Sequence, residues 1–477
     1  MWFAIWLACS KSQIPKNLDT TMTILQAEDQ QFWAQNIDWS GIVELPGDQE
    51  LAYSVHFLIQ ESTLTATMDI PVQNAMDLEL SDVVATESDL SFVLKPPNSP
   101  KFAWAYYTFH RTNTTTWTGT LTQMKQTFPA TLNVGQGESI HRPQTPEPPF
   151  SYNSREVFVP LTELGVQLAG TLTLPSDELV QPSKGWPTVV FITGSGSQDR
   201  DETIMGHKPF AVLADHLARS GVASLRVDDR GVGGSTGARA DLTTLDFASD
   251  IAQVVSFVKE QETVDVDKVG VLGHSEGGLI AAMVASDFPI SFVISLAGTG
   301  VNGLEVLIEQ NLDVLGVEDV NARTEFRTRY ANAMMAEMGS ELEREHILQV
   351  IEFQEQYSGQ NLSSEHRKAG LQQFEQIKKS AWMQTFMTIE PSTYWSTVTV
   401  PTLILNGSKD LQVSSTINLP AIQHAIPETT LLTVKEIDGV NHLFQQCETG
   451  SISEYGVIDQ TIDPFVLEVI SSWILGL

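Results

Sequence analysis

The sequence predicts an α/β protein: a mostly parallel, doubly wound sheet with an inserted helical cap, preceded by a small antiparallel β-sandwich or barrel. Three observations predict it. Residues from about 22 to 140 alternate apolar and polar side chains in short runs, the period of strands with one buried face. From Arg155 onward, strand-length apolar runs alternate with helical patterns, which implies parallel strands covered on both faces. Between two of those runs, from Gly303 to about Lys379, lies a long charged stretch at helical spacing.

At 477 residues the chain is too long for one ordinary core, and two domains are expected. In order, residues 1–21 form an apolar N-terminus and tail, 22–140 an all-β accessory domain, 141–150 a linker, and 151–477 the α/β domain with its cap at about 303–385. Met1 to Ala8 are almost wholly apolar and end in Leu7-Ala8-Cys9-Ser10. This resembles the end of a bacterial lipoprotein signal, so export, periplasmic or extracellular, with a lipid anchor at Cys9 is the expectation.

In the all-β region the strand candidates are Ala52–Phe57, Leu64–Met68, Leu78–Leu80, Leu90–Leu94 and Thr116–Leu121, divided by Pro71, Pro96-Pro97 and Pro100. Their apolar stripes read as a core rather than a binding surface. The run His141 to Pro149 is proline-dense and is expected to be extended. The α/β region offers strands at Glu156–Pro160, Val166–Thr173, Thr188–Thr193, Ala223–Asp228, Lys268–Gly273, Phe292–Ala297, Thr402–Leu405 and Thr430–Ile437. The first two read as an antiparallel hairpin. A structureless insert as long as Gly303 to Lys379 would be improbable, so it reads as a helical cap over the site.

Composition excludes several functions. The formal net charge is −32, from 59 acidic and 27 basic residues, which opposes binding to nucleic acid or through a basic face to anionic membranes. Two cysteines, Cys9 and Cys447, make neither a disulfide framework nor a metal cluster. None of the ten histidines falls in a His-Glu-x-x-His pattern, which argues against a zinc hydrolase.

The chemistry concentrates in Gly273-His274-Ser275-Glu276-Gly277. An apolar strand precedes this run and a helical pattern follows, the context of a nucleophile elbow. The strained turn there leaves room only for glycine at 273 and 277. A second Gly-x-Ser-x-Gly, around Ser235, lacks the preceding strand and reads as a Gly-rich loop.

A serine hydroxyl needs a base, and the base an orienting carboxylate. Asp410 lies on the turn after Thr402–Leu405, and His442 on the turn after Thr430–Ile437. The interval between them holds one helix and one strand. A loop aspartate is ordinarily a turn former and a loop histidine ordinarily solvated. Their order behind an elbow makes them the candidate acid and base. Asp438 is the rival acid. The fourth part is an oxyanion hole: the backbone N–H of Glu276, just after the serine, and that of Ser195, on a loop made pliable by Gly194 and Gly196. Beyond it, Asp199-Arg200-Asp201-Glu202 and Asp228-Asp229-Arg230 read as an ion-pair lattice bracing that loop.

From about Glu156 to the end the chain resembles the EstD-like bacterial esterases of the α/β-hydrolase superfamily. The resemblance rests on Gly194 to Glu202, Asp229 to Gly237, Gly273 to Gly278, Gly407 to Val413 and Asn441 to Phe444. The family often has proline where this chain has Ser197, which bears on loop stiffness and not on the backbone donors. The resemblance implies an α/β-hydrolase fold and hydrolysis of short-chain carboxylic esters without metal or cofactor. A serine peptidase or an acyl-thioesterase would use the same triad. A binding protein on an inert hydrolase fold is the reading from another class.

Overall fold

The computed structural model describes residues 23–24, 32–33, 38–45, 49–60, 63–70, 75–95, 104–123, 126–135, 142–176, 178–238, 241–359 and 362–477. The apolar run Met1 to Ala8, Cys9 and His141 lie outside them. The chain divides into two units, one of Met1–Arg142 with Ile204–Gly206, the other of Pro143–Thr203 with His207–Leu477.

The first unit is a barrel. Strands β1 (Thr23–Ile24), β2 (Asp38–Leu45), β3 (Gln49–Gln60), β4 (Thr63–Ile70), β5 (Ala75–Ala85), β6 (Asp89–Leu94), β7 (Ala105–Arg111), β8 (Thr116–Gln123) and β9 (Gln126–Val134) follow in chain order. From β2 to β9 each strand pairs antiparallel with the next. The ring closes where β2 meets β9, with Trp39 opposite Val134 and Val43 opposite Ala130. β1 adds to the start of β4. Alternation decides what faces inward: on β4, Leu64, Ala66, Met68 and Ile70 are buried and the residues between them are not. Eight strands leave an interior that side chains can fill. Trp33, Trp39, Trp117, Phe57 and Phe109 fill it, with Trp39 edge-on to Trp117 at 5.5 Å.

The second unit is built on a mixed sheet of β10 (Asn153–Leu161), β11 (Val166–Leu174), β12 (Trp186–Ile192), β13 (Ala223–Val227), β14 (Val264–His274), β15 (Val293–Leu296), β16 (Thr402–Gly407) and β17 (Leu432–Ile437). Their spatial order is β10-β11-β13-β12-β14-β15-β16-β17. The first two pairings are antiparallel and the rest parallel. Successive residues of the central strands enter opposite cores. Val190, Ile192 and Val271 pack under helices α2 (Thr244–Lys259) and α3 (Glu276–Asp287). Val189, Phe191 and Leu272 pack against α1 (Pro209–Arg219) and the C-terminal helix Pro464–Leu475. Burial on both faces is why these strands are continuously apolar.

The insert between β15 and β16 is helical: α4 (Gly303–Val314), α5 (Val320–Met335), α6 (Glu341–Ser358), α7 (Ser364–Lys379) and α8 (Ala381–Thr388). Side-chain caps start four of them, from Asn302, Asp319, Ser340 and Ser380. Phe326 and Phe353 are buried between α5 and α6, and Lys378 on α7 meets Glu343 on α6 at 2.8 Å inside the insert.

The proline-dense segment differs from the extended linker expected. Residues 143–145 turn, and Gln144 is pinned to the second unit: its Oε1 accepts the N–H of Thr461 (2.6 Å) and Ile462 (3.0 Å), and its Nε2 donates to the Ile462 carbonyl at 2.7 Å. Proline fixes φ for turns as readily as for extended chain.

Candidate active site

Strand β14 ends at His274 and α3 begins at Glu276, which leaves Ser275 alone to reverse the chain. Its φ of 55° and ψ of −123° are a strained conformation for a residue with a side chain. The turn is held by Ser275 N–H donating to the Leu296 carbonyl on β15 at 2.8 Å. A Cβ at 273 would lie 1.9 Å from the Gly277 carbonyl oxygen, and one at 277 would lie 2.3 Å from that of Ile192. Both obstacles are backbone, so neither can swing aside. The N-terminus of α3 directly behind Ser275 favours negative charge.

Asp410 follows β16 and is buried. Its Oδ1 accepts the N–H of Gln412 and of Val413, both at 2.8 Å, which fixes the carboxylate plane. Its Oδ2 accepts from Nδ1 of His442 at 2.8 Å. With the proton on Nδ1, the lone pair of His442 is on Nε2. The loop carrying His442 is shaped by Asn441, whose Oδ1 accepts the N–H of Leu443 (3.0 Å) and Gln445 (3.1 Å), and by Phe444 at φ 61°. Ser275 Oγ and His442 Nε2 make no hydrogen bond to each other here. Such bonds commonly tighten only around substrate. The rival acid Asp438 is exposed and accepts from Ser408 Oγ at 3.3 Å instead.

The loop after β12 runs against the serine: a Cβ on Gly194 would be 3.2 Å from the Ser275 Cβ. Gly196 turns the loop at φ 102°. The N–H of Ser195 makes no hydrogen bond among the described residues, as an oxyanion donor requires. Glu276 is the first residue of α3, so its N–H lies in the first turn, at the helix N-terminus behind the serine. The Ser195 hydroxyl donates to Glu276 Oε2 at 2.8 Å. The buried Glu276 carboxylate also accepts from Thr244 Oγ1 (2.7 Å) and from the indole N–H of Trp382 on α8, at 2.9 Å to Oε1 and 3.0 Å to Oε2. One carboxylate thus joins the loop after β12, the start of α2 and the helical insert.

The ion-pair lattice is present behind this loop. Arg200 donates from Nε to Asp228 Oδ1 (3.0 Å) and from Nη2 to Oδ2 (2.9 Å), while Nη1 reaches Glu156 at 2.7 Å. Burial alone would push the Asp228 carboxyl up. The hydrogen bonds and charge of Arg200, with the N–H of Gly234, outweigh it and hold the group below the usual carboxylate range. Arg230 forms a buried pair with Asp250. Ser235, the other Gly-x-Ser-x-Gly serine, is structural: its buried Oγ accepts from Ala169 N–H (2.9 Å) and donates to the Asp228 carbonyl (2.8 Å).

Two residues beside the serine, His274 of the Gly-x-Ser-x-Gly run and Glu202 of the Asp199-Arg200-Asp201-Glu202 run, have no part in the reaction expected from the sequence. His274 is buried, with Nδ1 3.0 Å from Glu202 Oε1 and Nε2 2.9 Å from the His442 carbonyl oxygen. Both its nitrogens face oxygens, which suits a doubly protonated ring. Burial opposes that charge most strongly. The Glu202 charge and hydrogen bond, the His442 carbonyl and Asp410 outweigh it, and the net shift is upward. Only the place of His274 inside the serine motif could have pointed to it. Glu202 is expected from the sequence only as part of the ion-pair lattice bracing the loop, because its contact with His274 depends on a backbone turn at φ 52°. Among the described residues no group of three His, Cys, Asp or Glu side chains could hold a metal ion.

The sheet, the strained serine between strand and helix, and the aspartate and histidine after the last two strands, β16 and β17, define an α/β hydrolase. The family described as alpha/beta hydrolase fold matches residues 187–446, and the chain belongs to it. Among individual relatives, Esterase EstD of Thermotoga maritima is 32% identical over 152 residues, which are 31% of this chain and 34% of that protein. The match thus spans about a third of that relative's length. Of solved structures, Est1E from Butyrivibrio proteoclasticus aligns over 67% of this chain and 98% of its own, at 17% identity and a TM-score of 0.39. The Pyrococcus furiosus esterase Pf2001 aligns over 68% and 90%, at 15% identity and a TM-score of 0.41. Likenesses at these scores bear on neither substrate nor mechanism.

Proposed function

We propose that the chain is a serine esterase that cleaves short-chain carboxylic esters through an acyl-enzyme on Ser275. The observation that carries this reading is the 2.8 Å bond from His442 Nδ1 to Asp410 Oδ2, on loops that leave the same ends of the parallel strands as the strained Ser275. The 32% identity to a protein named as an esterase supports the choice of ester over other acyl substrates.

In the first step Ser275 Oγ bonds to the ester carbonyl carbon while His442 Nε2 takes the hydroxyl proton. The carbonyl π pair moves onto oxygen, which accepts the N–H of Ser195 and Glu276. Losing one such donor typically costs about 3–4 kcal/mol of transition-state stabilisation. Asp410 stays ionised, keeps the imidazole in the Nδ1–H tautomer and stabilises the imidazolium. The intermediate collapses, the C–O bond to the alcohol breaks, and His442 gives its proton to the departing oxygen. Water then repeats the sequence on the acyl-enzyme, releasing the acid and restoring Ser275.

The test is a chromogenic ester series from two-carbon to twelve-carbon acyl chains, with matched amide and thioester substrates. Ester turnover with a short-chain optimum is expected. Faster amide turnover would make the chain a peptidase, and faster thioester turnover a thioesterase. Binding without turnover of any substrate would leave an inert hydrolase fold. Export with a lipid anchor at Cys9 belongs to the same proposal, and intact-mass measurement of the exported chain tests it.

A further inference from the structure

Glu202 is a costly residue for its fold. It holds a non-glycine side chain at φ 52°, and it is only 4% exposed. Its Oε2 is buried with no hydrogen-bond partner, although a carboxylate oxygen removed from water normally finds one. Strain and an orphan oxygen at one residue call for a compensating role. The other oxygen shows what that role is. Oε1 accepts the Gly194 N–H at 2.7 Å and faces His274 Nδ1 at 3.0 Å. His274 in turn reaches the His442 backbone carbonyl at 2.9 Å, and the two rings lie 4.6 Å apart.

The consequence is geometric. Gly194 begins the loop that carries the Ser195 N–H, His274 is covalently joined to Ser275, and His442 is the base. The ladder joins β12 to β14 only as far as Ile192 opposite Gly273, and β17, which leads to His442, lies three strands away from β14, so no ladder ties the base loop to the other two. We propose that Glu202 and His274 are positioning residues for the hydrolysis, forming one buried strut that sets the oxyanion loop and the base loop at matched heights around Ser275. Neither touches substrate. Glu202 acts through Gly194 and His274, and His274 acts through the backbone of His442. The proposal rests on the esterase reading above. A displacement of about 1 Å at such a site can cost on the order of 100-fold in rate.

The experiment compares the full chain with Glu202→Gln, His274→Leu and His274→Gln on one short-chain chromogenic ester, with Ser275→Ala alongside. Circular dichroism and thermal midpoints report the folded fraction, and rates are taken per folded enzyme. Glu202→Gln keeps an acceptor oxygen but removes the charge that faces His274, and His274→Leu removes both of its hydrogen bonds. Each is expected to lower kcat about 10- to 100-fold with KM within about two-fold, because the strut that aligns the transition state is weakened. His274→Gln keeps an N–H for the His442 carbonyl and should recover part of that loss, which a purely structural role would not produce. Wild-type kcat per folded molecule in Glu202→Gln, or a change in KM alone, would overturn the proposal. Should His274→Leu fail to fold, the near-isosteric Glu202→Gln decides by itself. An inert Ser275→Ala beside a fully active Glu202→Gln removes only the strut. An active Ser275→Ala removes the esterase reading first.

Discussion

His442 donates its Nδ1 proton to Oδ2 of Asp410 across 2.8 Å of protein interior, although 32 residues separate the two. The contact is held from both sides: the N–H of Gln412 and Val413 fix the carboxylate, and the side chain of Asn441 shapes the loop under the imidazole. A carboxylate so constrained dictates which nitrogen of the ring carries the proton, and so which one keeps the lone pair.

Asp410→Asn should therefore leave the fold intact and remove the chemistry. The amide can still accept the two backbone N–H bonds, but it no longer enforces the Nδ1–H tautomer. A fall in kcat of about 10³- to 10⁴-fold is expected, by analogy with the same exchange in a serine-protease triad. Steady-state kinetics at saturating ester check it, with the thermal midpoint as the control for folding.

Ser235→Ala should do the reverse. The Ser235 hydroxyl bridges Ala169 N–H and the Asp228 carbonyl inside the second unit and has no part in the proposed reaction. Its loss leaves two buried backbone groups short of a partner, which costs about 1–3 kcal/mol. Denaturant unfolding should show that loss, while kcat and KM per folded molecule stay at the wild-type values.

The His274–Glu202 pair has a pH signature. The folded-state pKa of His274 is raised above its ordinary value, since the neighbouring carboxylate outweighs burial. In the unfolded chain a histidine titrates near ~6.5. The stability from the pair is therefore complete below about pH 6.5 and is lost as the pH rises through the raised folded value. Unfolding free energies measured from pH 5 to 9 should decline across that interval in the intact chain. The decline should be smaller in His274→Gln, which keeps the contribution of His56, where Asp38 and Asp69 outweigh burial and the shift has the same sense.

The legible parts of this protein were those written in local pattern. The central strands of the second unit stand out because both faces are buried, so Val189 to Ile192 or Val269 to Leu272 have no polar interruption. The serine turn is legible because two backbone carbonyls exclude any side chain at positions 273 and 277. The barrel closure was not, because β2 and β9 meet across about the whole length of the unit and Pro129 interrupts the strand signal of β9. The contacts of Glu202 and Trp382 were hidden for a related reason. Each reaches a distant segment, Glu202 bonding to His274 as well as to Gly194 and Trp382 to Glu276, and no spacing or periodicity encodes such contacts.

The most direct measurement of the central claim is hydrolysis of a short-chain chromogenic ester by the intact chain and by Ser275→Ala, with equal folded fractions. The account predicts turnover in the first and a loss of several orders of magnitude in the second, down to the background left by binding and the oxyanion donors. Turnover in Ser275→Ala equal to that of the intact chain would contradict it and place the nucleophile elsewhere.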